Sequence, residues 1–129
     1  MKLLSFEHAG RVGFGALMDP RTGIVDLSRQ GYADLRDALS RTTTVELERL
    51  AGSLPATLAL DDVRLLPPIL APEKIICVGV NYGKRNEEYR DGSAPPAYPS
   101  VFPRFPGSFV GHGQPLLRPP ESDQLDYEG

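Results

Sequence analysis

Only one cysteine, Cys77, occurs in the 129 residues, so an internal disulfide is excluded and the chain fits a reducing compartment. Long apolar runs are missing too. Nothing approaches the roughly 20 consecutive apolar residues that a membrane-spanning helix needs, so no membrane association is expected. There is no basic excess: Lys and Arg number 14 against 17 Asp and Glu, a net charge of −3, with the cations scattered among acids. A phosphate-binding surface wants clustered Lys and Arg, which argues against nucleic acid as a partner. The opening MKLLSFEHAG has a lysine but no long apolar segment and meets Glu7 and His8 at once, so no signal peptide is read and the expected location is cytoplasmic.

Proline, by contrast, is abundant. Thirteen prolines are about twice the usual share of about 5%, which limits regular structure. Along the chain, Leu3, Leu4 and Phe6, then Val12, Phe14, Ala16 and Met18, alternate or nearly alternate around Ala9-Gly10, the pattern of an antiparallel hairpin with one face covered. A third strand with Ile24, Val25 and Leu27 follows the turn Asp19–Gly23. The spacing then becomes helical, through Leu35 and Leu39 and again through Val45, Leu47 and Leu50, giving two short helices with Thr44 as a cap for the second. Val63, Leu65 and Leu66 supply one more extended segment before Pro67-Pro68. This is a small α/β unit, expected to end near Pro72.

The composition shifts at Lys74. Ile75, Ile76, Cys77, Val78 and Val80 read as a strand buried on both faces, with Cys77 as core rather than nucleophile. After Asn81-Tyr82 the chain turns polar and charge-dense through Tyr89, as a short exposed helix or lid-like loop would. Eight of the thirteen prolines fall between Pro95 and Pro120, where no helix is expected to survive. Phe102, Phe105, Phe109, Val110, Leu116 and Leu117 give that region the apolar bulk of ordered loops and short strands rather than of a solvated linker.

Three motifs now stand in order: Val78-Gly79-Val80-Asn81-Tyr82, then Phe102-Pro103-Arg104-Phe105-Pro106-Gly107-Ser108, then Leu125-Asp126-Tyr127-Glu128-Gly129. Together they resemble the fumarylacetoacetate hydrolase superfamily over residues 73 to 129, and residues 1 to 72 are similar to the small domain that many members carry in front. The resemblance implies an α+β, mostly β fold: a small N-terminal α/β domain, 1–72, followed by the first part of the family's β-rich catalytic domain, 73–129. It also implies a divalent metal, magnesium or manganese, and an oxo acid or dicarbonyl substrate. The chemistry would be C–C hydrolysis, decarboxylation, isomerisation or hydration, and the full-length protein would be a homodimer.

The resemblance likewise assigns roles. Glu128 is the first metal ligand; the chain stops before the second Glu of the family's Glu-x-Glu pair, so these 129 residues alone are expected to be inactive. Asp126 projects to the same strand face, as a further acceptor or a surface charge. Arg85 stands where hydrolytic members have a histidine, and Glu88 where they have its partner glutamate. Arginine stays protonated and cannot take a proton from water. Either Arg85 clamps a substrate carboxylate while Glu88 serves as base or orients it, or the two form an exposed i, i+3 ion pair. Arg104 replaces the family's lysine and keeps its anion-binding chemistry; Ser108 hydrogen-bonds in the same loop or shapes a turn. His112, between two glycines, reads as a turn residue, and His8, on an exposed strand, carries no signal. The rival reading is a short non-catalytic binding or assembly module, or a pseudoenzyme derived from the family.

Overall fold

A computed structural model describes residues 1–19, 23–79, 84, 92 and 97–124. It divides into two compact units, Met1–Leu70 with Val110–Gly129, and Ala71–Phe109. Strands in two sheets and two α-helices make it an α+β, mostly β protein.

In the first unit, β1 (Lys2–His8) and β2 (Arg11–Leu17) pair antiparallel from Lys2 opposite Leu17 to His8 opposite Arg11. The loop between them is just Ala9 and Gly10, both at positive φ (49° and 74°), as a tight hairpin needs to match the strand twist. Glycine adopts that geometry freely, whereas Ala9 tolerates it at a cost of about 1–2 kcal/mol. Then β3 (Ile24–Asp26) pairs with β2 and β4 (Arg64–Leu66) with β1, giving the order β3-β2-β1-β4.

The sheet has two covered apolar faces rather than the one expected of the hairpin, because both sets of alternating residues meet apolar partners from later in the chain. Phe14, Ala16, Val25 and Leu27 face helices α1 (Leu35–Arg41) and α2 (Thr44–Gly52), meeting Leu35, Ala38, Leu47 and Ala51. Phe6, Leu17 and Ile24 face the other way and are covered by Leu58, Leu60 and Val63. Ser5, buried in β1, donates through its hydroxyl to the Pro68 carbonyl at 2.6 Å, so its polar atom is satisfied.

The cap of α2 differs from the expectation at Thr44. Thr43 is the cap, because its hydroxyl accepts from the Glu46 amide at 3.2 Å while the Glu46 carboxylate accepts from the Thr43 amide at 2.9 Å. That carboxylate also accepts from the hydroxyls of Thr42 and Thr43, at 2.6 and 2.9 Å. Hydrogen bonds from the Thr42 hydroxyl, then the Thr43 amide and hydroxyl, stabilise the charged form and bring the Glu46 carboxyl down to about 2. A folded-state pKa below the usual 4.5 means that the contribution is present above that value and lost as the pH falls toward 2. Urea midpoints between pH 6 and pH 2.5 are therefore expected to fall less steeply in Glu46→Gln than in wild type, and Thr43→Ala to cost ~1 kcal/mol at neutral pH. Parallel pH profiles would show that the box does not hold the carboxylate in its charged form.

In the second unit, β5 (Ile76–Gly79) pairs antiparallel with β6 (Ser100–Pro103). The expected burial on both faces is not observed: Ile76 is 64% and Val78 49% exposed, and Val101, opposite Val78, is 67% exposed. The face carrying Cys77 and Phe102 is half-buried, so Cys77 is not the full core residue read from its neighbours. A continuous β-branched run shows that a strand can be buried on both faces; what packs on it is a tertiary matter. Among its described residues the proline-rich region holds β6 and one 3-10 turn, Pro106–Ser108, with proline in its first turn where a missing amide costs nothing.

Candidate functional site

The strand pair β5–β6 joins two of the sequence motifs. In its register Cys77 lies opposite Phe102 and Gly79 opposite Ser100, so these four share one face. Phe102 leans over Gly79: a Cβ added there would stand 3.2 Å from ring atom Cε1, tighter than ordinary contact. The glycine of the strand-end motif is thus the seat of the phenylalanine that opens the next motif.

Arg104 follows β6 directly. Its amide donates to the Ile75 carbonyl at 3.1 Å and continues the ladder by one residue. Its guanidinium carbon sits 5.0 Å from the Phe102 ring centroid, within cation–π range, which holds the fork on the Phe102–Cys77 face. The side chain remains exposed and can present hydrogen-bond donors to an anion. Ser108 hydrogen-bonds within its own turn: its hydroxyl donates to the Phe105 carbonyl at 2.8 Å, as does its amide at 3.0 Å.

Of the residues singled out from the sequence, Arg104 and Ser108 are therefore placed in one unit. Asn81, Tyr82, Arg85, Glu88, Asp126 and Glu128 lie outside the described residues. Among the described residues no three His, Cys, Asp or Glu side chains gather as an ion site. A single carboxylate such as Glu128 fills only a fraction of the octahedron of oxygens that magnesium prefers, so it would need further ligands to hold the ion. His112 occupies an exposed turn closed by the Gln114 amide donating to the Gly111 carbonyl at 3.0 Å, with Gly113 at φ 75°. His8 is half-buried rather than exposed on its strand and lines a cleft in the first unit together with Arg11, Ser28 and Arg29. The sequence signal for that cleft is a histidine and an arginine facing each other across a two-residue turn, which becomes visible once the hairpin register is known.

The family described as "Fumarylacetoacetate (FAA) hydrolase C-terminal" matches residues 74–129. The chain is 34% identical to "Oxaloacetate tautomerase FAHD2A, mitochondrial" of Bos taurus over 137 residues, covering 99% of this chain and 42% of that protein. It is 32% identical over 126 residues to "Oxaloacetate tautomerase Fahd2a, mitochondrial" of Rattus norvegicus, covering 87% and 39%. It is 30% identical over 121 residues to "Fumarylacetoacetate hydrolase domain-containing protein 2 homolog" of Dictyostelium discoideum, covering 88% and 38%. The chain thus spans about two fifths of the length of the curated relatives it matches. These matches overturn the cytoplasmic expectation, since the bovine and rat relatives are named as mitochondrial proteins. The composition of a folded domain carries little information about its compartment, and a reducing environment is not peculiar to the cytosol.

Proposed function

Since this chain belongs to the fumarylacetoacetate hydrolase family, we propose that it is part of a mitochondrial enzyme that interconverts the keto and enol forms of oxaloacetate or a closely similar oxo acid. The observation that carries this reading is the likeness of nearly the whole chain to relatives named oxaloacetate tautomerases. The arginine at position 85 supports it. A tautomerase moves one proton between carbon and oxygen and needs no activated water, so the histidine base of hydrolytic members is dispensable.

In this proposal residues 1–72 form the accessory domain and 73–129 the first part of the catalytic domain of a homodimer. Arg85 and Arg104 hold the carboxylates of the substrate with their planar forks. Glu88 takes a proton from the carbon between the carbonyl and the far carboxylate: the C–H pair becomes the C=C bond, the carbonyl π pair moves onto oxygen to give the enolate, and the proton rests on Glu88. The same proton is returned to that oxygen, which leaves the substrate's composition unchanged. Ser108 lines the same loop as a hydrogen-bonding group. Glu128 would be one ligand of a magnesium or manganese ion in the whole protein, where the metal would supply Lewis-acid polarisation of the substrate's oxygens.

The test follows the enol absorbance of oxaloacetate in the full-length protein beside cleavage of an acylpyruvate. Accelerated enol–keto exchange without C–C cleavage is the expected result. Acylpyruvate cleavage with no effect on oxaloacetate exchange would replace tautomerisation by hydrolysis.

A further inference from the structure

On the sheet face opposite the helices, a cleft of about 210 Å³ opens near the β1–β2 turn, lined by Phe6, His8, Arg11, Gly13, Ser28 and Arg29, with Leu58 at its edge. Its floor depends on a missing side chain. A Cβ on Gly13 would lie 2.6 Å from Ser28 Oγ and 3.0 Å from Phe6 Cζ, so any larger residue would fill the depression. Ser28 is itself fixed, its Oγ accepting from the Phe14 amide at 3.0 Å.

The charges around this depression are unbalanced. Register places His8 directly opposite Arg11, on the strand face that also carries Phe6 and Gly13, and Arg29 adds a second guanidinium at the rim. Two guanidinium groups lining one small depression are unfavourable unless something neutralises them. Glu7 cannot, because it alternates to the opposite face and pairs with Arg64. Asp26 also lines the cleft; one of its oxygens accepts from the Ser28 amide at 2.9 Å, and its carboxylate offsets one of the two guanidinium charges and leaves the other. The side chains of His8, Arg11 and Arg29 have no hydrogen-bond or ion-pair partner among the described residues. Places where a sequence breaks a local pairing rule without compensation are where function is expected.

The geometry points to a binding site for a small dianion on the first unit, with the Arg11 and Arg29 guanidinium groups as its claws and His8 beside them. A volume this small admits a ligand of a few heavy atoms, a short dicarboxylate or a phosphate group, rather than a drug-sized molecule. Guanidinium forks recognise both oxyanion types. The site uses none of the groups assigned to catalysis above and stands independently of that assignment.

The test titrates malonate and inorganic phosphate separately into the full-length protein by calorimetry at constant ionic strength, because exposed charges are screened by salt. The expected result is a saturable site whose affinity falls about tenfold or more in the Arg11→Gln/Arg29→Gln double variant, the loss that charge-assisted hydrogen bonds imply. Oxaloacetate turnover should stay at the wild-type level in that variant. Saturation by malonate alone identifies a dicarboxylate site, and saturation by both anions a general dianion site. If the double variant misfolds, Arg29→Gln alone carries the test, since Arg29 is exposed beyond the end of β3. No saturable binding of either anion, or equal affinity in wild type and variant, overturns the proposal.

Discussion

Replacing Glu88 with glutamine in the full-length protein is expected to lower kcat for oxaloacetate tautomerisation by about 10²–10⁴-fold, the range that a positioned proton-transfer group contributes. Glutamine keeps the size and hydrogen-bonding capacity of the side chain but cannot accept the proton from carbon, so KM should change little. Arg85→His makes the complementary change. It removes a group that stays charged across the working pH range and substitutes one that is largely neutral above its usual pKa, so KM for the dianionic substrate should rise by about tenfold. The two variants therefore separate along kcat and KM, which a shared structural defect would not produce. Unchanged KM in Arg85→His would remove Arg85 from the site, and unchanged kcat in Glu88→Gln would remove the base.

The second large effect concerns stability. Gly111 is buried against β4, and a Cβ added to it would collide with the Leu65 carbonyl oxygen while standing 2.7 Å from Leu65 C and 2.9 Å from Leu66 Cα. These are backbone atoms of a strand paired in the sheet, so they cannot swing aside as the end of a flexible side chain would. Gly111→Ala is expected to lower unfolding stability by about 3 kcal/mol, at the upper end of ordinary overpacking costs. Either β4 is pushed from β1, or the segment around Gly111 moves away from β4. Gly52→Ala is the control: nothing lies within 4 Å of the added carbon, and Gly52 is the last residue of α2 at ordinary φ, so the variant should be neutral or slightly stabilised. Equal urea midpoints for Gly111→Ala and wild type would show that this contact does not exist in solution.

How far each feature could be read from the residues follows from the range of the forces involved. Alternation of Leu4, Phe6, Phe14 and Ala16 around a two-residue loop, and helical spacing of Leu35 with Leu39 and of Val45, Leu47 and Leu50, are local patterns, and the strands and helices stand where those patterns lie, although Leu39 and Val45 turn out to be exposed. Even the cap of α2 was one residue from its expected place, because Thr42, Thr43 and Thr44 are alike in sequence and only Thr43 has a glutamate three residues on. The family was legible for a different reason: three short motifs in order, two of which the structure brings together where Phe102 rests on Gly79.

Other features needed the folded chain. The run from Ile75 to Val80 announces an apolar strand, yet it has no way to show which face is covered, and Ile76 and Val78 turn outward. Gly111 looks like half of a loose Gly-His-Gly turn until β4, from far earlier in the chain, arrives beside it. The cleft at His8, Arg11 and Arg29 likewise needs the hairpin register and the third strand before its charges meet. Local elements and family membership could be read before any fold was known, because both are written in contiguous residues. Burial, close backbone approach and the gathering of charge came only with the fold, because each depends on residues distant in sequence sharing one small volume.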